Sequence, residues 1–128
     1  MDRDLGAHVT GRVIGAAIDV HRELGPGLLE SAYEECLARE LDRREISYAR
    51  QVLLPLFYRG CETDCRYKID LVVQDRVVVE VKSVEQIAPV HGAQVLTYLR
   101  LSGYPIGLLI NFNNVLLKNG VRRFALSR

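Results

Sequence analysis

The stretch YKIDLVVQDRVVVEVKS, from Tyr67 to Ser83, decides the fold. Two runs rich in β-formers, Tyr67–Val73 and Val77–Lys82, flank the turn-forming residues Gln74, Asp75 and Arg76. A three-residue loop there pairs Val73 with Val77, and counting back sets Asp70 opposite Glu80. Side chains alternate faces along a strand. One face of the hairpin then carries Ile69, Leu71, Val73, Val77, Val79 and Val81, and the other Lys68, Asp70, Val72, Val78, Glu80 and Lys82. A slip of one residue would mix the two sets, so the apolar pattern itself argues for this register.

Opposed side chains in such a pair have Cβ atoms roughly 4.5–5.5 Å apart, and like charges repel there. Asp70 and Glu80 therefore need a cation between them, a shared proton, or free access to water. Oxygen ligands of this kind suit a hard divalent ion such as Mg²⁺. Lys82 follows Glu80 on the same face, and two acids with a lysine on adjacent strands are parts suited to metal-assisted attack on a phosphodiester. A solvated face, with Lys68 and Lys82 neutralising the acids, uses the same residues without chemistry.

Outward from the hairpin, Asp4 to Leu24 reads as a helix, with Val9, Val13, Ala16, Ala17, Val20 and Leu24 at helical spacing. Gly25-Pro26-Gly27 ends it. A second helix is expected from Leu28 to Arg44, its apolar side made by Leu29, Tyr33, Cys36, Leu37 and Leu41. Glu30 falls in its first turn, where the helix dipole favours a carboxylate, and shares a side with Tyr33. Glu34, Glu35 and Glu40 read as surface residues. Ile46 to Tyr58 reads as a strand buried on both faces, with Pro55 demanding an edge position or a bulge. After the hairpin, Pro89 opens a helix that ends at Gly103, with His91, Gln94 and Tyr98 along one side. His91 and Gln94 as exposed residues, with Tyr98 in the core, is the plain alternative to a site on that side. Tyr104–Phe112 reads as a buried strand. Val115–Leu117 and Val121–Leu126 read as a final hairpin closed by Lys118-Asn119-Gly120. The order is helix, helix, three strands, helix and further strands: a mixed sheet with helices packed on it, in two or three layers.

With 128 residues, 48% hydrophobic and 26% charged, residues 1–128 are expected to form one globular domain. No apolar run approaches the roughly 20 residues of a bilayer span, and MDRDLGAHVTGR is not a signal peptide, so a cytoplasmic, membrane-free protein is expected. Cys36, Cys61 and Cys65 suggest neither a disulfide framework nor a zinc site. A net charge of +1 excludes strong indiscriminate attraction to nucleic acid but allows a local basic groove. Arg50, Arg59, Arg66 and Lys68, and again Lys118, Arg122, Arg123 and Arg128, are the residues to form one.

These residues carry a resemblance. Gly27-Leu28-Leu29-Glu30-Ser31-Ala32-Tyr33 resembles the signature of the GxxExxY protein family. Asp70 with Glu80-Val81-Lys82 resembles the core of the PD-(D/E)XK nuclease superfamily, with Ile69 where its name has proline. Gln94 to Tyr98 is similar to the QxxxY helix motif of its exonuclease-like branch. The resemblance implies an α/β (α+β) PD-(D/E)XK nuclease-like fold, a mixed central sheet flanked by helices. It implies that Glu30, Asp70, Glu80 and the Val81 carbonyl approach one Mg²⁺ or Mn²⁺. Lys82 would orient or activate water and offset developing charge, and Gln94 and Tyr98 would bind substrate. The function expected is Mg²⁺-dependent hydrolysis of DNA phosphodiesters. A non-catalytic nucleic-acid-binding module, and a protein-interaction or regulatory subunit that retains the fold, are the other two readings. A homo-oligomer or a protein partner is left open.

Overall fold

The computed structural model describes residues 7–126. The elements are α1 (Ala7–Leu24), α2 (Glu30–Arg43), β1 (Tyr48–Tyr58), β2 (Cys61–Val73), β3 (Val77–Lys82), α3 (Pro89–Ser102), β4 (Ile106–Asn111), a short 3₁₀ turn (Leu117–Gly120) and β5 (Val121–Ala125). The strands form one sheet in sequence order. β3 and β4 run parallel across the α3 crossover, and the other neighbours are antiparallel. The part of the first helix expected before Ala7 lies outside the described residues, as does Arg128. Among the described residues no helix is long and apolar enough to cross a membrane.

The helices make three layers. Val9, Val13, Ala16, Ala17 and Val20 of α1 pack with Tyr33, Leu37 and Leu41 of α2 over Leu71, Val73, Val77, Val79, Val81, Leu108 and Ile110. These are the apolar stripes that helical and strand periods demand. On the opposite face, Tyr98 and Leu99 of α3 cover Leu54, Ile69, Val72 and Val78. Val72 and Val78 thus lie under a helix, although the hairpin's polar face was expected to hold them.

The connection between α1 and α2 explains the spacing of Gly27, Glu30 and Tyr33. Gly25 and Gly27 take φ of 70° and 101°, open to glycine without strain. The Tyr33 hydroxyl donates to the Gly25 carbonyl and accepts from the Leu28 N–H, pinning the loop from below. Its ring stacks on Phe112 with centroids 4.6 Å apart. Leu29 takes no part in this packing; it precedes the first turn of α2 and is 75% exposed. Tyr33→Phe keeps the ring and loses both bonds, so unfolding in urea should show a loss of about 1–3 kcal/mol. An unchanged midpoint would mean the loop holds without the hydroxyl.

Three further expectations are corrected. β1 is not buried on both faces: it is the edge strand, and Leu53, Phe57 and Tyr58 are mostly exposed. β1 and β2, longer than β3, run past the sheet as a two-stranded arm turned at Arg59 and Gly60, and Phe57 and Tyr58 near that turn are left uncovered. Pro55 does meet both of its conditions, on an edge and beside a register shift. No strand forms at 115–117, and β5 pairs with β4 instead. Asn119-Gly120 closes no hairpin; Gly120 is buried where a Cβ would lie 2.5 Å from the Asn111 carbonyl.

Candidate active site

The β2–β3 register is the one the valines dictate: Val73 with Val77, Val72 with Val78, Leu71 with Val79. The ladder then stops, one step before Asp70 and Glu80. In the continued register Ile69 would have accepted the Val81 N–H; instead Asp70 Oδ2 accepts it, at 2.8 Å. β2 departs from β3 at this point and follows β1, whose Gln51 lies between the pairs Arg50–Leu71 and Val52–Ile69 and takes φ 53°. The departure breaks the alternation, and Ile69 joins the α3 side rather than the face of Leu71 and Val73. In a strand the N–H and C=O of one residue point the same way. The Val81 carbonyl is therefore directed to the gap beside Asp70, while the Lys82 carbonyl turns to β4 and accepts from Phe112 N–H at 2.9 Å.

Glu80 is 4% exposed, and among the described residues its Oε1 has no hydrogen-bond partner. Its Oε2 lies 3.4 Å from Lys82 Nζ. Burial, and then Asp70, push the Glu80 carboxyl up to about 8, against the pull of Lys82 and of the Asp70 backbone N–H. Burial also raises Asp70, to about 6; the Val81 N–H and Lys82 oppose this, and Glu34 and Glu30 add to it. Two carboxyls so placed cannot both ionise easily, and near neutral pH the pair retains one proton.

Glu30 approaches from α2. Its Oε2 accepts from Ser83 N–H at 3.3 Å, and Ser83 Oγ donates to the Leu28 carbonyl at 2.6 Å, tying the start of α2 to the end of β3. Glu34, expected at the surface, is 7% exposed. Its carboxylate receives Arg50 Nε and Nη2 at 3.1 and 3.0 Å, and Gln51 Nε2 at 3.0 Å. Glu40 is also largely covered, bound to Arg44, and only Glu35 is exposed as expected. Glu34 lies one turn beyond Glu30 on the same helix face, which is the one signal in the sequence for its place beside the acids. Its burial depends on Arg50 and Gln51, residues distant in sequence. Among the described residues no three His, Cys, Asp or Glu side chains stand together as a ready ligand set; the tight unit is Asp70 and Glu80, with Glu30 and Glu34 flanking.

The far side of the site is α3. Tyr98 is 3% exposed, and burial with Glu80 and Asp70 beyond it pushes its hydroxyl up to about 12. It stays protonated, and a donor, across the working pH range; Gln94 bonds to it. His91 Nδ1 accepts from Ala88 N–H at 2.9 Å, so the neutral ring carries its proton on Nε2. Tyr67, Lys82, His91, Gln94, Thr97 and Tyr98 line an open cleft. Among the described residues the basic side chains do not converge on it as a group. Arg50 and Arg66 are paired to Glu34 and Glu62, and Arg122 and Arg123 belong to the far edge strand.

The donors fit a small hard cation. They are oxygens only, one of them is buried without a partner, and a backbone carbonyl is aimed at the same gap. A family model described as the PD-(D/E)XK nuclease superfamily matches residues 7–124, from α1 to β5. No curated protein and no solved structure matches the chain.

Proposed function

The chain belongs to the PD-(D/E)XK nuclease superfamily, and from that premise we propose that it is a Mg²⁺-dependent nuclease hydrolysing DNA phosphodiester bonds. The observation that carries this reading is the buried, unpartnered Glu80 Oε1 beside Asp70. A structural ion pair satisfies its oxygens, whereas this pair leaves one unmet and pays the repulsion of two acids.

In this reading Glu30, Asp70, Glu80 and the Val81 carbonyl would hold the ion. When bound, the ion neutralises charge on the phosphoryl oxygens and acidifies water. Lys82 holds the attacking water through its ammonium and offsets the negative charge that develops on the phosphoryl group. Gln94 and the protonated Tyr98 donate hydrogen bonds to the substrate. Glu34 braces Arg50 and Gln51 across from Asp70 and so keeps β2 turned away from Val81. The Gly27, Glu30 and Tyr33 pattern supports placement in the GxxExxY family, and residues 1–128 are read as one domain.

The test is cleavage of labelled DNA and RNA oligonucleotides by purified protein with Mg²⁺, Mn²⁺ or a chelator. Cleavage of DNA that the chelator abolishes, that restored Mg²⁺ recovers and that Asp70→Asn lacks is the expected result. Measured metal binding with no cleavage of any nucleic acid would leave a binding module in place of an enzyme.

A further inference from the structure

The cleft beside the acids has an aromatic wall that the proposed chemistry does not use. Tyr67 precedes Lys68 and Ile69 on β2, just where the strand leaves β3 for the arm. It pairs across β1 with Leu54, so its ring shares the α3 side of the sheet. Its ring meets Tyr98 at 6.1 Å between centroids and at 57°, a tilted contact and not a face-to-face stack. Tyr67 is 36% exposed, whereas Tyr98 is 3% exposed. Opposite it, α3 offers the hydroxyl of Thr97, the amide of Gln94 and the Nε2–H of His91, and Lys82 closes the inner end. One flat π-surface, neutral hydrogen-bonding groups and a single cation are what a nucleotide needs: stacking for the base, bonds for its edge, charge for its phosphate.

We propose that this cleft holds one unpaired nucleotide next to the scissile phosphate, its base stacked on Tyr67 and its phosphate directed to Lys82. The inference rests on the nuclease reading for its substrate and adds a class: single-stranded, gapped or frayed nucleic acid. In a continuous duplex both π-faces of each base are already covered by its neighbours, so Tyr67 has nothing to stack on. The arm beyond supports the same path. Phe57 and Tyr58 are exposed there, and the Arg59 guanidinium lies 5.7 Å from the Tyr58 ring. Exposed aromatic rings with a cation beside one of them suit a flexible strand.

Binding is measured by fluorescence anisotropy in the Glu80→Gln background, which keeps Tyr67 and Lys82 and does not turn over. The probes are one DNA sequence as single strand, blunt duplex and duplex with a single-stranded flap. Single strand and flap should bind about tenfold tighter than blunt duplex. Adding Tyr67→Ala should weaken the first two by about tenfold and leave the duplex unchanged, while Tyr67→Phe retains the preference. Equal affinity for duplex and single strand, or a Tyr67→Ala loss that is equal on both or absent, overturns the inference. Cleavage of the same probes by wild type separates the two ideas. Tyr67-dependent single-strand binding without cleavage sinks the enzyme and keeps the subsite. Cleavage with a duplex preference keeps the enzyme and sinks the subsite.

Discussion

Lys82→Ala should lower the rate of DNA cleavage by about 10²–10³-fold, the effect of removing one pre-aimed group from a charge-developing transition state. The substitution leaves the α1–α2 core untouched, because the Lys82 side chain points to the cleft and contacts Glu80. It has one foreseeable side effect. Lys82 holds the Glu80 carboxyl down against burial and Asp70, so its loss raises that carboxyl further and disfavours cation binding near neutral pH. Assaying at pH 9 separates the two consequences. A variant impaired only in ionising Glu80 recovers at pH 9, whereas one that has lost the group holding the water does not. Glu80→Gln and Asp70→Asn should abolish cleavage at both pH values, since neither replacement ionises. Cleavage surviving alike in Lys82→Ala and Glu80→Gln would trace to a contaminant, and the enzymatic reading would fall.

The second large effect is on stability. In the absence of a divalent ion, Asp70 titrates near 6 and Glu80 near 8 in the folded chain, and both near 4 when unfolded. Between those values the folded state binds more protons than the unfolded one. The stability contributed by these protons is complete below about pH 4 and is lost as pH rises through about 6 and then about 8. Metal-free protein should therefore melt progressively lower from pH 5 to pH 9. Mg²⁺ competes with those protons for the same oxygens. Its addition should do little at pH 5 and most above pH 8, where saturation at 100 times Kd contributes about 2.7 kcal/mol, on the order of 10 °C for a chain this size. Glu80→Gln should flatten the upper part of the pH dependence and remove most of the Mg²⁺ response. Melting temperatures of wild type and Glu80→Gln that respond identically to pH and Mg²⁺ would show that Asp70 and Glu80 do not share a cation site.

Much of this was legible in the chain itself. The run of valines set the β2–β3 register, because a one-residue slip would send every apolar side chain of the hairpin to the wrong face. The stripe from Val9 to Val20 placed α1 on the core, and Pro89 and Gly103 marked the ends of α3. Asp70, Glu80 and Lys82 were legible, with Lys68, as an excess of charge on a strand pair otherwise rich in apolar residues.

Periodicity reports the face a residue would take if its strand continued straight. It does not say where two strands part. That point is decided by Asp70 taking the Val81 N–H, by Gln51 with its positive φ, and by Glu34 bracing Arg50 and Gln51 from another element. Hence Ile69 changed faces and Glu34, read as a surface acid, became buried. For the same reason the exposure of Leu53, Phe57 and Tyr58 could not be read locally. An apolar strand is buried only if a layer covers it, and here α3 reaches no further than Leu54 and Tyr67. Hydrophobic pattern, a short-range property, determined which elements form and which way they face. Only the tertiary structure decided where the ladder opens at the candidate site and which apolar residues are left facing solvent beside it, because both depend on contacts between segments far apart in the chain.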